Sequence, residues 1–300
     1  MGDQVLKGEG DVSLKRAATR RKVLDGLVPV IASIGVFVAI AFLVSLLLYV
    51  VVTGAGRLTP TLITDYPSAN PREAGMRSAT LGSVFTVGLA GLICIPLSIA
   101  TAVYLNEYAG NKWWSQVLRY NIANLAGVPS IVFGVVGLGF LVYGLGLGRS
   151  IIAGAFTLAI LTLPYVTVVC VEALRAVPDD QRLGAYALGA TTFEVVRYIV
   201  LPRAMPMMLT GGILGISRAL GEAAPILVIS GLLFIREDPA SLLSEFTVIP
   251  LQLYSWISRP QVAFQQLAAA GIIVLLAILL ALNSLAIYLR QRFYRRLEAG

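Results

Sequence analysis

The sequence contains no histidine and only two cysteines in 300 residues. Without histidine there is no imidazole to act as a general base or metal ligand, and two thiols are too few for a structural zinc site. Cys94 and Cys170 each sit inside an apolar run, where buried packing is the ordinary role of a thiol. Lysine is also scarce. A nucleotide-binding P-loop needs a lysine followed by serine or threonine, but Lys7, Lys15, Lys22 and Lys112 are followed by Gly, Arg, Val and Trp. The chain therefore cannot hydrolyse ATP through a P-loop, and any ATP-derived energy must enter from another polypeptide. Nor is there a basic stripe interleaved with aromatics of the kind that binds nucleic acid. No convergent set of acid, base and nucleophile stands out, so no catalytic residue, metal or cofactor is expected and an enzyme is disfavoured.

Charge of either sign is sparse as well. Charged residues make up 13% of the chain and apolar ones 57%, with a mean hydropathy of +0.83. Such a composition suits lipid rather than water. A bilayer core of about 30 Å requires roughly 20 apolar residues of helix. Six runs approach that length, near 27–52, 81–105, 122–147, 151–174, 207–234 and 267–289. The first exceeds the short apolar core of a cleavable signal peptide, so it is expected to remain as an anchor. The third is crowded by Gly127, Gly134, Gly137, Gly139, Gly144, Gly146 and Gly148, which in membranes allow close helix approach.

With the N-terminus inside, most basic residues fall on the cytoplasmic side. These are Lys7 to Lys22, Lys112 and Arg119, then Arg175, Arg182, Arg197 and Arg203, and finally Arg290 to Arg296. Arg57, Arg72, Arg77, Arg149, Arg236 and Arg259 fall outside. This bias predicts an all-α integral membrane protein with six transmembrane helices and both termini cytoplasmic. Its parts are a basic N-terminal segment, 1–26, a six-helix domain, 27–290, and a basic tail, 291–300. The net charge of +7 then reflects loops facing an anionic leaflet, so membrane lipid is an expected partner. Trp113 and Trp114, next to Lys112, are expected to anchor at the interface. Pro239, Pro250 and Pro260 break the segment 236–266, which predicts a short helix and loop on the outer face.

Between the fourth and fifth runs lies a polar stretch from Glu172 to Ala204, EALRAVPDDQRLGAYALGATTFEVVRYIVLPRA. Pro178, Asp179 and Asp180 suit a helix start, and Gly189 a stop. Thr191 and Glu194 have capping-box spacing for a second start. The plain reading is a solvated amphipathic connector. The positions of Ala185, Gly189, Ile199, Leu201 and Pro202, however, resemble the EAA loop of ABC importer permeases: Glu-Ala-Ala, three residues, Gly, nine residues, then Ile-x-Leu-Pro. Five of the seven fixed positions match, while Leu183 and Gly184 replace Glu and the first Ala.

The resemblance implies a type I importer permease fold in a bacterial inner membrane, with this loop lodged in a groove of a dimeric ATP-binding subunit. Gly189 would then allow the sharp bend, and Tyr186 or Phe193 would insert as apolar anchors. Three further stretches resemble the phosphate permease family of PstA type: IPLSIATAVYLNEYAG at 95–110, GVPSIVFGVVGLG at 127–139 and SRALGEAAPIL at 217–227. That resemblance implies a second, PstC-like permease, a PstB-like ATPase pair and an extracytoplasmic PstS-like phosphate-binding protein. Residues 54–78 and 236–266 would dock the binding protein. Permeases for sulfate or molybdate remain alternatives, as does a stand-alone ion-coupled carrier.

The fifth run holds Arg218 and Glu222, four residues apart and on one helical face with Gly211 and Gly215. A charge at mid-membrane costs about 2.5–3.5 kcal/mol on insertion scales, so such residues face a bundle interior or a water-filled path. They either neutralise each other and pin helix to helix, or Arg218 meets a translocated anion while Glu222 orients it. Gly211 and Gly215 are expected to admit a neighbouring backbone. Pro225, which cannot bond to the Gly221 carbonyl, is expected to kink the helix.

Overall fold

The computed structural model describes the backbone of residues 3–298 apart from residue 111, and the side chains of residues 26–292 with the same exception. It divides into two units, Met1–Thr53 and Gly54–Gly300. The first is helical, the body of α1 (Asp3–Gly54). Its apolar length follows from the run at 27–52, and the helix also takes in the basic segment before it. Side chains from Lys7 to Lys22, like those of Arg295 and Arg296, lie outside the described residues.

In the second unit the helices are α2 (Thr61–Thr64), α3 (Arg77–Val103), α4 (Trp113–Leu125), α5 (Ser130–Gly137) and α6 (Ile151–Arg175). They are followed by α7 (Asp179–Ala187), α8 (Thr192–Val195), α9 (Leu201–Gly221), α10 (Ala224–Ser230), α11 (Ile249–Ile257) and α12 (Val262–Glu298). Wide π-type turns extend α3 through Tyr104–Tyr108 and α5 through Leu138–Gly144, and join α8 to α9 through Val196–Val200. Among the described residues, five helical stretches are long and apolar enough to cross a membrane: Gly26–Arg57, Arg77–Tyr108, Ile151–Arg175, Thr192–Gly221 and Val262–Arg292. The pair Trp113–Leu125 and Ser130–Gly144 makes a sixth if counted as one span.

The core is built on α3 against α6, because both present small residues. α3 buries Ala79, Ser83, Ala90, Cys94, Ser98 and Ala102 at roughly helical spacing, and α6 buries Ala155, Ala159, Thr162, Cys170 and Ala173. In lipid there is no hydrophobic gain between two apolar helices, so close approach of small side chains supplies the dispersion contact that holds them. α9 adds to this core through Gly211 and Gly215. A methyl on Gly215 would lie 2.5 Å from Val166 Cγ2 and 3.1 Å from Thr162 Cγ2, so both glycines seat against side chains of α6. A second cluster gathers Leu62, Met76, Leu253, Trp256 and Phe264, joining α2, α11 and α12 beside the start of α3.

Two expected spans differ from continuous helices. The third does not run straight from 122 to 147: it bends by 102° between α4 and α5. Pro129 causes this, since it has no N–H to donate and pushes Val128 out of helical geometry. The fifth does not continue from 207 to 234 with a kink. α9 ends at Gly221, Glu222 is extended at φ −78° and ψ 116°, and α10 begins again with Pro225 in its first turn. The second span starts at Arg77, four residues before the expected edge, because the Arg77 charge is taken up by Asp238. The segment 236–266 does form a short helix, α11, but from Val262 onward it already belongs to α12, which starts ahead of the expected edge at 267.

The third and fifth runs meet where α5 crosses α10. A methyl on Gly134 would lie 2.7 Å from Pro225 Cα and 2.9 Å from its carbonyl oxygen, both backbone atoms with little room to yield. Overpacking of this kind costs about 1–3 kcal/mol. Gly134→Leu should therefore lower the thermal unfolding midpoint of the detergent-solubilised protein. Gly139→Ala should leave it unchanged, since a methyl there meets nothing within 4 Å.

Candidate functional site

The stretch Glu172–Ala204 lies at the end of the bundle where α6 stops, and it folds as two short helices. α7 ends in a Schellman turn: Ala190 N–H donates to Ala185 O at 3.1 Å and Gly189 N–H to Tyr186 O at 2.9 Å. Gly189 has φ +86°, a conformation that costs a side-chain-bearing residue. At the next start the Thr191 N–H donates to Glu194 Oε2 at 2.7 Å, and Thr191 Oγ1 accepts from Glu194 N–H at 3.4 Å. This closes the capping box.

The EAA-type positions divide into two roles. Ala185 is buried, while Ile199 and Leu201 pack on the core cluster, so these hold the loop to the bundle. Pro202 is exposed at the start of α9. The large apolar side chains on the outward surface come mainly from other residues, Leu183, Tyr186, Leu188 at 91% exposure, Phe193 and Tyr198, and lie among the exposed charges of Asp179, Asp180, Glu194 and Arg197. Tyr186 and Phe193 were expected there. Leu188 and Tyr198 were not, although an apolar residue immediately before a turn glycine is itself a signal. Trp113 faces outward, whereas Trp114 turns in to stack on Tyr104 at 5.8 Å between ring centroids.

Arg218 and Glu222 do come together, but across a helix end rather than within one helix. Arg218 Nε stands 3.6 Å from Glu222 Oε1, and the guanidinium lies 5.7 Å from the centre of the Tyr165 ring of α6. The two side chains differ in exposure, 53% for Arg218 and 18% for Glu222. The carboxylate is sheltered while much of the guanidinium stays open. Its planar fork keeps donors free for an oxyanion, because a single 3.6 Å contact occupies little of it.

At the opposite end of α3, Arg77 pairs with Asp238 through Nε–Oδ1 at 3.0 Å and Nη2–Oδ2 at 2.6 Å. The Arg77 guanidinium holds the Asp238 carboxyl below the usual carboxylate range. Ser78 Oγ donates to Ile235 O at 2.9 Å, and Ile249 N–H donates to Ser83 Oγ at 2.8 Å, so the segment after α10 is fastened across the start of α3.

Apolar helices that can cross a membrane five or six times, a half-open arginine where one of them breaks, and a folded loop with large apolar side chains on its outer surface define a multi-pass membrane transport subunit. Residues 95–298 match the family described as binding-protein-dependent transport system inner membrane component, and the chain belongs to that family. It is thus a permease component of an ABC-type system in the inner membrane, without an ATPase site of its own, working with ATPase and binding-protein components.

The probable ABC transporter permease protein YqgI of Bacillus subtilis is 31% identical over 292 residues, covering 93% of this chain and 99% of that one. The phosphate transport system permease protein PstA 1 of Mycobacterium tuberculosis is 34% identical over 223 residues, 74% of this chain and 72% of that one. A probable PstA of Methanocaldococcus jannaschii is 32% identical, covering 70% and 74% respectively. Among solved structures, an amino acid ABC transporter aligns with a TM-score of 0.56 at 20% identity, over 72% of this chain and 92% of that one. The inward-facing MetNI methionine transporter gives 0.55 at 16% identity, over 76% and 99%. At such identities these two speak to the fold alone.

The Arg77–Asp238 pair yields a direct expectation. Asp238→Asn should speed amide exchange in the segment 232–247 by roughly two- to fivefold, the range for an exposed ion pair. Hydrogen exchange mass spectrometry against wild type reads this, and α6 should remain unaffected as an internal control.

Proposed function

We propose that this chain is the PstA-type permease of an ATP-driven inorganic phosphate importer. Its partners would be a PstC-like second permease, a PstB-like ATPase pair and a PstS-like phosphate-binding protein. The observation that carries the reading is the half-open Arg218 at the break between α9 and α10. A guanidinium that its own chain leaves exposed at membrane depth must face water or another protein, not lipid. A second permease packed on this face would enclose a path with Arg218 on its wall. Guanidinium matches phosphate through paired charge-assisted bonds, while Glu222 beside it limits how tightly the anion is held, as transport requires. The names of the PstA relatives support phosphate as the cargo.

The apolar surface of Leu183, Tyr186, Leu188 and Phe193 is the docking face for the ATPase. Leu183, where the family pattern has Glu, makes that contact less ionic. Both termini and this loop face the cytoplasm, following the distribution of arginine and lysine. The segments 54–78 and 236–266 then face outward, where the binding protein docks. Gly211 and Gly215 keep α9 tight on α6, and the break before Pro225 lets α10 reorient separately.

Labelled phosphate uptake in a strain lacking the endogenous permease, complemented with wild type and variants, tests this. Arg218→Ala should reduce uptake by at least about a hundredfold while the complex still co-purifies, and normal uptake would falsify the path role. Excess sulfate should not compete with phosphate; competition would favour another oxyanion importer. Transport that persisted after deletion of every ATPase partner would point to an ion-coupled carrier.

Gly189→Pro replaces φ +86° with a residue fixed near −65°. It should leave the spans intact, as judged by membrane insertion and assembly, but separate ATP hydrolysis from uptake. Retained coupling in that variant would remove the loop from the energy path.

A further inference from the structure

Arg182 of α7 lies at the joint between the loop and the spans, and its guanidinium is spread over three elements. Nη1 donates to Val177 O at 2.6 Å and to Asp179 Oδ1 at 2.9 Å. Nη2 donates to Leu174 O at 2.8 Å and to Glu107 Oε1 at 3.1 Å. Leu174 belongs to the last turn of α6, Val177 to the three-residue link before α7, and Glu107 to the wide turns that end α3. The Arg182 and Glu107 side chains are only 12% and 7% exposed, and Asn106 Nδ2 holds the same Glu107 oxygen at 2.8 Å. Unlike Arg175–Glu172, where both side chains are 53% exposed, this is a sheltered pair bridging residues far apart in sequence.

We propose that Arg182 is the positioning residue that makes the α6–α7 joint stiff and ties it to α3, so that displacement of the loop moves both spans together. This rests on the reading that the loop receives the ATPase stroke. A three-residue link alone is a soft joint that would absorb a push on α7 by local rotation. One planar guanidinium bonded on both sides of that link removes the freedom. Its bond to Glu107 adds a second lever, because it carries the motion to the end of α3 as well as to the end of α6. The carbonyls of Leu174 and Val177 accept only from a donor, so a carboxylate at position 182 cannot replace the arginine even if a cation is placed at 107. Lysine offers a single ammonium that cannot fork across the link.

The test uses the whole complex, with its partner permease, ATPase and binding protein, in proteoliposomes, and reads phosphate accumulated per ATP hydrolysed. Arg182→Ala should lower that yield by at least about tenfold with ATP turnover within about twofold of wild type, the scale expected when charge-assisted bonds are lost. Glu107→Gln, which leaves both α6-side bonds in place, should lower the yield by about threefold, and Arg182→Lys should fall between the two. The exchange Arg182→Glu with Glu107→Arg should not restore it.

An unchanged yield in both Arg182→Ala and Glu107→Gln overturns the proposal. So does a fall in ATP turnover that matches the fall in uptake, because that marks a loop merely misfolded or detached. If the Arg182→Ala complex does not assemble, Glu107→Gln decides on the same criterion. Failure of the wild-type complex to accumulate phosphate would instead strike the functional assignment.

Discussion

Helix α3 is tied at both ends by an arginine–carboxylate pair. Arg77 holds Asp238 at one end, and Glu107 holds Arg182 at the other. Between these ties its buried face is mostly a stripe of Ser, Ala, Gly, Thr and Cys, with Val87 and Leu105 as the larger side chains. The stripe lets α6 approach closely, but small side chains grip weakly along the axis. Of the two polar ties, Arg77–Asp238 joins α3 to the segment after α10, while Arg182 joins the far end of α3 to α6 through Glu107 and the Leu174 carbonyl. Several other elements of the Gly54–Gly300 unit are arranged on this pair of helices: α9 seats its glycines on α6, the segment after α10 crosses the start of α3, and α7 hangs from the far ends of both.

Both interruptions of the membrane runs occur at prolines, and each has a structural consequence. At Pro129 the chain turns sharply, so α4 becomes a separate helix and α5 is left short, completed by wide turns around Leu138–Gly144. Before Pro225 the chain is extended for one residue, and that residue is Glu222. Non-helical backbone at membrane depth is tolerated only where protein buries it or water reaches it. The coincidence of a break, a carboxylate and a half-open guanidinium is what turns an ordinary ion pair into a candidate point on a path.

The loop from Glu172 to Ala204 was largely legible from its residues, because its signals are local. Gly189 at a positive φ and the Thr191–Glu194 capping box need no distant partner. The same holds for the existence of the spans, which follows from apolar length. The break at Glu222 was only half legible: Pro225 announced a defect, but its form depended on α5 pressing Gly134 against Pro225. Arg182 was read only as one more cation on the inner side. Its pairing with Glu107, 75 residues away in sequence, leaves no periodic or compositional trace.

The sequence by itself determined that this is a helical membrane protein without a motor of its own, because hydropathy, the missing P-loop and turn chemistry act within a few residues. Their four-residue spacing suggested that Arg218 and Glu222 would be neighbours, although the pair closes over the end of α9 rather than within it. Only the tertiary structure decided that Glu222 ends a helix while Arg218 stays half open, and that Arg182 bridges two spans. Those outcomes depend on which helices touch, and contact between helices is set by shape and partner geometry rather than by any pattern along one chain.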